Sequence, residues 1–156
     1  MGTYPQKPPL GEAELEPFLR EAPIARLATM NPDGTIHIAA LWFGYDGGEL
    51  LFGTQDVTNK VRNIQGNPAV TVLIDVEEPD LKGVLVYGHA QLDDEDVIAK
   101  RVTLFETYMS SEDALQLAAG LAGHFTPVII RVKPDRVTSW DYSKDGLIET
   151  GGGTAG

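Results

Sequence analysis

Cysteine is absent from this chain of 156 residues, which removes disulfides, thiolate metal sites and thiol catalysis at once. Basic residues are scarce: 12 Lys and Arg stand against 23 Asp and Glu, a net charge of −11. Binding to nucleic acid or to an anionic membrane surface draws on basic stripes and counterion release, so neither is an expected partner. No apolar run approaches the length of a membrane span, and the opening MGTYPQKPPLG lacks the apolar core of a signal peptide. The expected location is the cytoplasm. Sequence signatures of common active sites are missing as well. No Gly-x-Ser-x-Gly elbow points to a hydrolase, and no Gly-x-Gly-x-x-Gly follows a strand to hold a dinucleotide. The three histidines, His37, His89 and His124, have no spacing that would put two metal ligands on one face.

What is present is one ordinary domain. With 42% hydrophobic residues the chain can bury a sizeable core, and the reading is a single domain over residues 1–150 followed by a flexible GGGTAG tail at 151–156. A short helix carries Leu15, Phe18 and Leu19 and ends near Ala22, with Pro17 tolerable in or near its first turn. Strands are expected over Ile24 to Met30, Ile36 to Tyr45, Glu49 to Gly53, Ala69 to Val76, Gly83 to Leu92 and Val128 to Trp140. Asn31-Pro32-Asp33-Gly34 and Asp46-Gly47-Gly48 supply tight turns, and Pro134 marks a bulge or an edge in the last strand. Val57 to Gly66 reads as a helix with Gly66 as its C-cap. From Asp94 onward a helix places Val97, Arg101, Leu104, Phe105 and Tyr108 on one stripe, and another spans Glu112 to Ala122. The fold class is therefore mainly β (α+β): a six-stranded antiparallel split β-barrel with peripheral helices, since the βαβ rhythm of a parallel sheet is missing.

Two local features point to a ligand. In FGTQDVTNKVRNIQGNP a strand ends at Gly53-Thr54 and a helix begins around Thr58, Asn59 and Lys60. Between Arg26 and Lys82 the only Lys or Arg residues are Lys60 and Arg62, so positive charge is concentrated where a helix starts. Free N–H groups, the helix dipole and the hydroxyls of Thr54 and Thr58 make this an expected phosphate site. The second feature is the strand Ile36 to Tyr45, apolar on both faces. Ile36, Ile38, Ala40 and Trp42 line one face, and Ala39, Leu41, Phe43 and Tyr45 the other. One face fills the barrel, and the other needs a ligand or a second subunit. A homodimer is expected.

These residues, with AVTVLI and VLVYGHAQL after them, resemble the flavin-binding core of the pyridoxamine 5′-phosphate oxidase-like split barrels. That superfamily includes FMN proteins and flavin or deazaflavin F420-dependent oxidoreductases. The resemblance covers about Ile24 to Leu92, with a weaker echo in SWDY. It implies that the cofactor phosphate is held at Lys60 with help from Thr54, Thr58 and Asn59. The ring would then lie along Ile38 to Phe43, touching Ala39, Ala40, Leu41 and Trp42 in a cleft between subunits. It also implies that no side-chain nucleophile is needed, because the ring carries hydride or electrons to or from a small organic substrate.

Departures narrow the activity. True pyridoxamine phosphate oxidases have basic residues at both ends of the ring-binding strand and an Arg before the phosphate Lys, where this chain has Ile38, Phe43 and Asn59. Their C-terminal Arg-x-His is replaced by Trp140, Asp141 and Tyr142. The pattern is closer to the reductase-like members. The scarcity of basic residues favours FMN over F420, whose oligoglutamate tail calls for more Lys and Arg. A non-catalytic flavin- or haem-binding carrier or sensor on the same barrel is the alternative. Arg26 is either a rim charge paired with an acid or a cofactor contact. Trp42 is either a core or interface aromatic or a ring contact, and Trp140 and Tyr142 either close the cleft or pack on their own barrel.

Overall fold

The computed structural model describes residues 9–77 and 81–144, so the expected tail lies outside the described residues. Helix α1 (Glu12–Glu21) precedes β1 (Ala25–Met30), β2 (Ile36–Leu41), β3 (Gly44–Asp46) and β4 (Glu49–Gln55). Helix α2 (Asn59–Gly66) leads to β5 (Ala69–Asp75) and the long β6 (Lys82–Asp93). Two helices follow, α3 (Val97–Phe105) and α4 (Ser111–Ala122), before β7 (Pro127–Asp141) and a 3₁₀ turn at Tyr142–Lys144. The strands form one antiparallel sheet in the order β2-β1-β5-β6-β7-β4-β3.

The edge strands β2 and β3 are separated in sequence by only Trp42 and Phe43. Two residues span a few ångströms, so the sheet must curl until its edges approach. This connection makes the half-barrel and leaves a seam beside β2.

The count of strands is seven rather than the expected six, because the stretch 36–45 breaks in two. The break has a visible cause. Phe43 N–H donates to the Tyr108 hydroxyl (3.1 Å), and that hydroxyl donates back to the Phe43 carbonyl (3.2 Å). A side chain thus takes both backbone groups that a ladder would use, while Trp42 stacks on the same Tyr108 ring at 4.9 Å. Periodicity cannot reveal a contact made 65 residues away.

Other local expectations need smaller corrections. Pro17 lies inside α1, past its first turn. The carbonyl it leaves unpaired belongs to Ala13, an exposed residue, where water replaces the lost hydrogen bond. Helix α2 starts at Asn59 rather than Val57, and its C-cap is Asn67 in an extended conformation, so Gly66 is its last helical residue. Helix α3 begins at Val97, preceded by Asp96 at φ 48°. Pro134 does accompany a bulge. The β6·β7 register shifts between Tyr87 and Gly88, leaving Asp135 as the extra residue between partners Pro134 and Arg136. The hairpin glycines Gly47 (φ 58°) and Gly48 (φ 82°) both adopt the left-handed geometry of the two-residue turn.

The main core gathers inward residues of the sheet around Leu27, Phe52, Val72, Ile74 and Ile130, all fully buried. A second, smaller cluster lies under α3 and α4 around Leu104, Phe105, Ala114 and Ala118. Polar ties fix the start of α3 to the barrel. Asp93 accepts from Lys100 Nζ (2.7 Å), Glu95 N–H (3.0 Å) and Arg131 Nη1 (3.3 Å). The Lys100 hydrogen bond foremost, with those from Glu95 and Arg131, holds the Asp93 carboxyl below its usual value. The stabilisation it contributes is complete above the unfolded carboxyl value of about 4 and is lost as pH falls through the lower folded value. Asp93→Asn is therefore expected to cost about 1–3 kcal/mol at neutral pH. In urea unfolding the gap between the two proteins should narrow as the pH falls below the ordinary carboxylate range and close once the folded Asp93 is itself protonated.

Candidate functional site

Helix α2 is anchored before it is functional. Val61 and Ile64 enter the main core. Asn63, 5% exposed, donates from one amide nitrogen to Thr29 Oγ1 (3.0 Å) and Asn31 Oδ1 (2.8 Å). Those contacts clamp the helix across β1 and the following turn, fixing the direction of its first turn. Thr58 is the N-cap residue but makes no side-chain cap, and no acidic residue occupies the first turn. The positive helix end is uncompensated, which is the condition that favours an anion there.

Lys60 stands in that first turn. Its side chain is half-buried, and desolvation pushes its ammonium below the ordinary lysine value. Among the described residues it has no carboxylate within ion-pair distance, whereas Arg26, Lys82, Lys100, Arg131 and Lys144 all do. In a chain with so many carboxylates, a half-buried cation without one fits an external anion. Thr54 is buried, and its Oγ1 lies 3.5 Å from Thr58 Oγ1. The Thr58 hydroxyl donates to the Gln55 carbonyl (3.0 Å), so it would have to turn to serve a phosphate. Asn59 is exposed at the helix start, and Arg62 is exposed further along the same helix.

The expected ring-binding residues lie on β2 and just beyond it. Ile36 and Ile38 are 63% and 64% exposed, and Trp42 is 40% exposed. Of the two apolar faces read from the sequence, the one with Ile36, Ile38 and Trp42 is the outward one. A cavity of about 360 Å³ at the seam is lined by Ala40, Leu41 and Trp42, by Gly53 of β4, and by Arg101 and Phe105 of α3. Ala39 does not line it. Gly53 belongs to this cavity and the next residue, Thr54, to the α2 cluster, so one peptide link joins the two halves of the candidate site. Three larger clefts, of about 690, 850 and 460 Å³, lie beside α1, around the Arg26 pair and on α1 itself, and contain none of the expected site residues.

Two of the open assignments, Arg26 and Trp140, resolve by contact. Arg26 pairs with Asp75. Trp140 lies across its cross-strand neighbour Gly83, where a Cβ would meet the indole at 2.1 Å. It packs on its own sheet. Sequence reasoning put Arg101 on an apolar stripe and gave it no role; its placement in the cavity needs the turn of α3 against β4. Among the described residues no group of three or more His, Asp or Glu could hold a metal, and no helix is long and apolar enough to cross a membrane.

Comparison with known proteins agrees with this architecture. The conserved hypothetical protein Rv2991 from Mycobacterium tuberculosis is 28% identical, with a TM-score of 0.79 over 94% of this chain and 95% of that one. An F420 reductase is also 28% identical, with a TM-score of 0.62 over 78% of this chain and 94% of its own. HutZ, the haem storage protein from Vibrio cholerae, shares the fold at 19% identity and a TM-score of 0.64, covering 81% and 92% of the two chains. No curated protein is a significant match. The sequence model of the pyridoxamine 5′-phosphate oxidase family matches residues 12–141, from the first helix to the end of the last strand, and the chain belongs to that family.

Proposed function

We propose that this protein is a flavin-dependent oxidoreductase that holds FMN, or alternatively F420, in a cleft closed by a second copy of the chain. It would pass hydride or electrons to or from a small organic substrate. The observation that carries this reading is Lys60: a half-buried ammonium with no carboxylate partner among the described residues, in a helix whose first turn has no acidic residue. Lys60, Asn59, Thr58 and Thr54 would hold the phosphate. Ala39, Ala40, Leu41 and Trp42 would flank the ring, with main chain supplying hydrogen bonds and Trp42 an apolar wall. When bound, the flavin supplies the redox chemistry, so the chain's own part is to orient, to bind and to exclude water.

The exposed Ile36 and Ile38 beside this cleft support the dimer, since an apolar strand face of this kind is normally covered. FMN is favoured over F420 by the few basic residues near α2, although the F420 reductase among the similar structures keeps the deazaflavin in play. The carrier reading draws on one feature: apart from Arg101, the residues lining the seam cavity carry no ionisable side chain. Turnover separates the two, because a carrier would not cycle electrons between donor and acceptor.

The test is a parallel titration of the cofactor-free protein with FMN and with F420, followed by fluorescence, together with a measurement of mass in solution. One cofactor bound per chain in a dimer is the expected result. Binding of neither, or a monomer at high concentration, would overturn the cleft.

A further inference from the structure

Arg101 is 2% exposed, yet its Nε and Nη1 have no hydrogen-bond partner. Among the described residues it has no ion pair either. Its guanidinium packs beside Gly53, where a Cβ would meet Nε at 3.1 Å, and stands 5.9 Å from the Phe105 ring centroid. Burial pushes it below the ordinary arginine value, but a guanidinium stays charged at any physiological pH. A buried, unpaired charge is costly, and substituting an apolar residue of similar length would avoid that cost. The side chain lines the seam cavity, whose other walls include Trp42, Leu117, Leu121 and Phe105. The cavity thus combines one cation, several free N–H donors and otherwise apolar or aromatic surface. That chemistry matches a ligand with one negative charge on a flat, apolar body. A phosphate would demand more donors than one guanidinium gives, whereas a carboxylate is satisfied by its planar fork.

We propose that Arg101 is an anion-recognition residue, and that the seam cavity takes an organic monocarboxylate with its charged end on the guanidinium and its apolar body against Trp42 and Phe105. The acid is then the substrate class of the cofactor cleft, and only that last step rests on the proposed function. Gly53 has its own part: without a side chain it leaves the guanidinium the room it occupies.

The probe is benzoate, with benzamide as its uncharged counterpart, titrated into the full-length cofactor-free protein by calorimetry and by Trp emission. Benzoate should bind about tenfold to a hundredfold more tightly than benzamide. Arg101→Met should abolish that preference while leaving the melting temperature unchanged or higher, and Arg101→Lys should retain part of it. Equal binding of the two probes, binding of neither, or a preference that survives in Arg101→Met would overturn the proposal. Repeating the titration with saturating FMN or F420 tests the substrate assignment. Undiminished benzoate binding supports an acid seated beside the ring, and competitive displacement overturns it by assigning Arg101 to the cofactor itself. A protein that binds benzoate through Arg101 but neither cofactor would defeat the proposed function and leave the anion site standing.

Discussion

Lys60→Ala is expected to weaken cofactor binding by about tenfold to a hundredfold, equivalent to roughly 1.5–3 kcal/mol for a charge-assisted hydrogen bond to phosphate. The argument rests on what the side chain does in the cofactor-free protein. Among the described residues it has no carboxylate partner to lose, so the substitution removes a ligand contact without stranding a protein acid. Its desolvation, reflected in the lowered ammonium value, is relieved rather than worsened by alanine. The variant should melt at or above the native temperature while binding less tightly. Arg62→Ala, two residues along but exposed, serves as the control and should change affinity by less than about threefold. Equal affinity in Lys60→Ala and the native protein would remove the phosphate from α2.

The largest effect on stability is expected at Gly88. A Cβ there would lie 2.4 Å from the Lys133 carbonyl oxygen and 3.1 Å from Val132 Cγ1. The first obstacle is backbone, in the strand paired with it, and it cannot swing aside as a side chain would. It sits where the bulge at Asp135 shifts the register, so relief requires prising β6 from β7 along the longest ladder of the sheet. Gly88→Ala should cost about 2–4 kcal/mol, lowering the melting temperature by roughly 5–15 °C. Gly120→Ala in α4, where nothing lies within 4 Å of the added carbon, should instead stabilise by about 0.5–1 kcal/mol. Similar behaviour of the two variants would show that β6 and β7 accommodate a side chain at Gly88 without cost.

How much of this was legible in the residues depends on the range of the interaction. Turns set by two or three residues, such as the hairpin at Gly47-Gly48, could be read directly, because the required left-handed geometry selects glycine. The two apolar rows of residues 36–45 were equally plain, since alternation alone defines a strand's two faces, but which row points outward came only from the fold. The α2 start could be placed within two residues. What could not be read were the long-range choices. Tyr108 breaking the strand at Phe43, Asn63 clamping α2 to Thr29 and Asn31, and Arg101 facing Gly53 each join residues 32 or more apart. Nothing in local spacing selects those partners. Arg101 is the instructive case: a cation within an otherwise apolar helical stripe contradicts the pattern around it, and such a contradiction is the sort of signal that marks a functional position.

The position of β7 has a consequence for how this protein is made. Among the described residues the strand latest in the chain is not at an edge; it lies between β6 and β4. A ribosome that has delivered only the first 126 residues holds the sheet in two separate pieces, β2-β1-β5-β6 and β4-β3, each with an open edge waiting for the same partner. Nascent chains therefore expose the facing edges of β6 and β4 until β7 has been made, a period in which edge-to-edge pairing between neighbouring chains competes with folding.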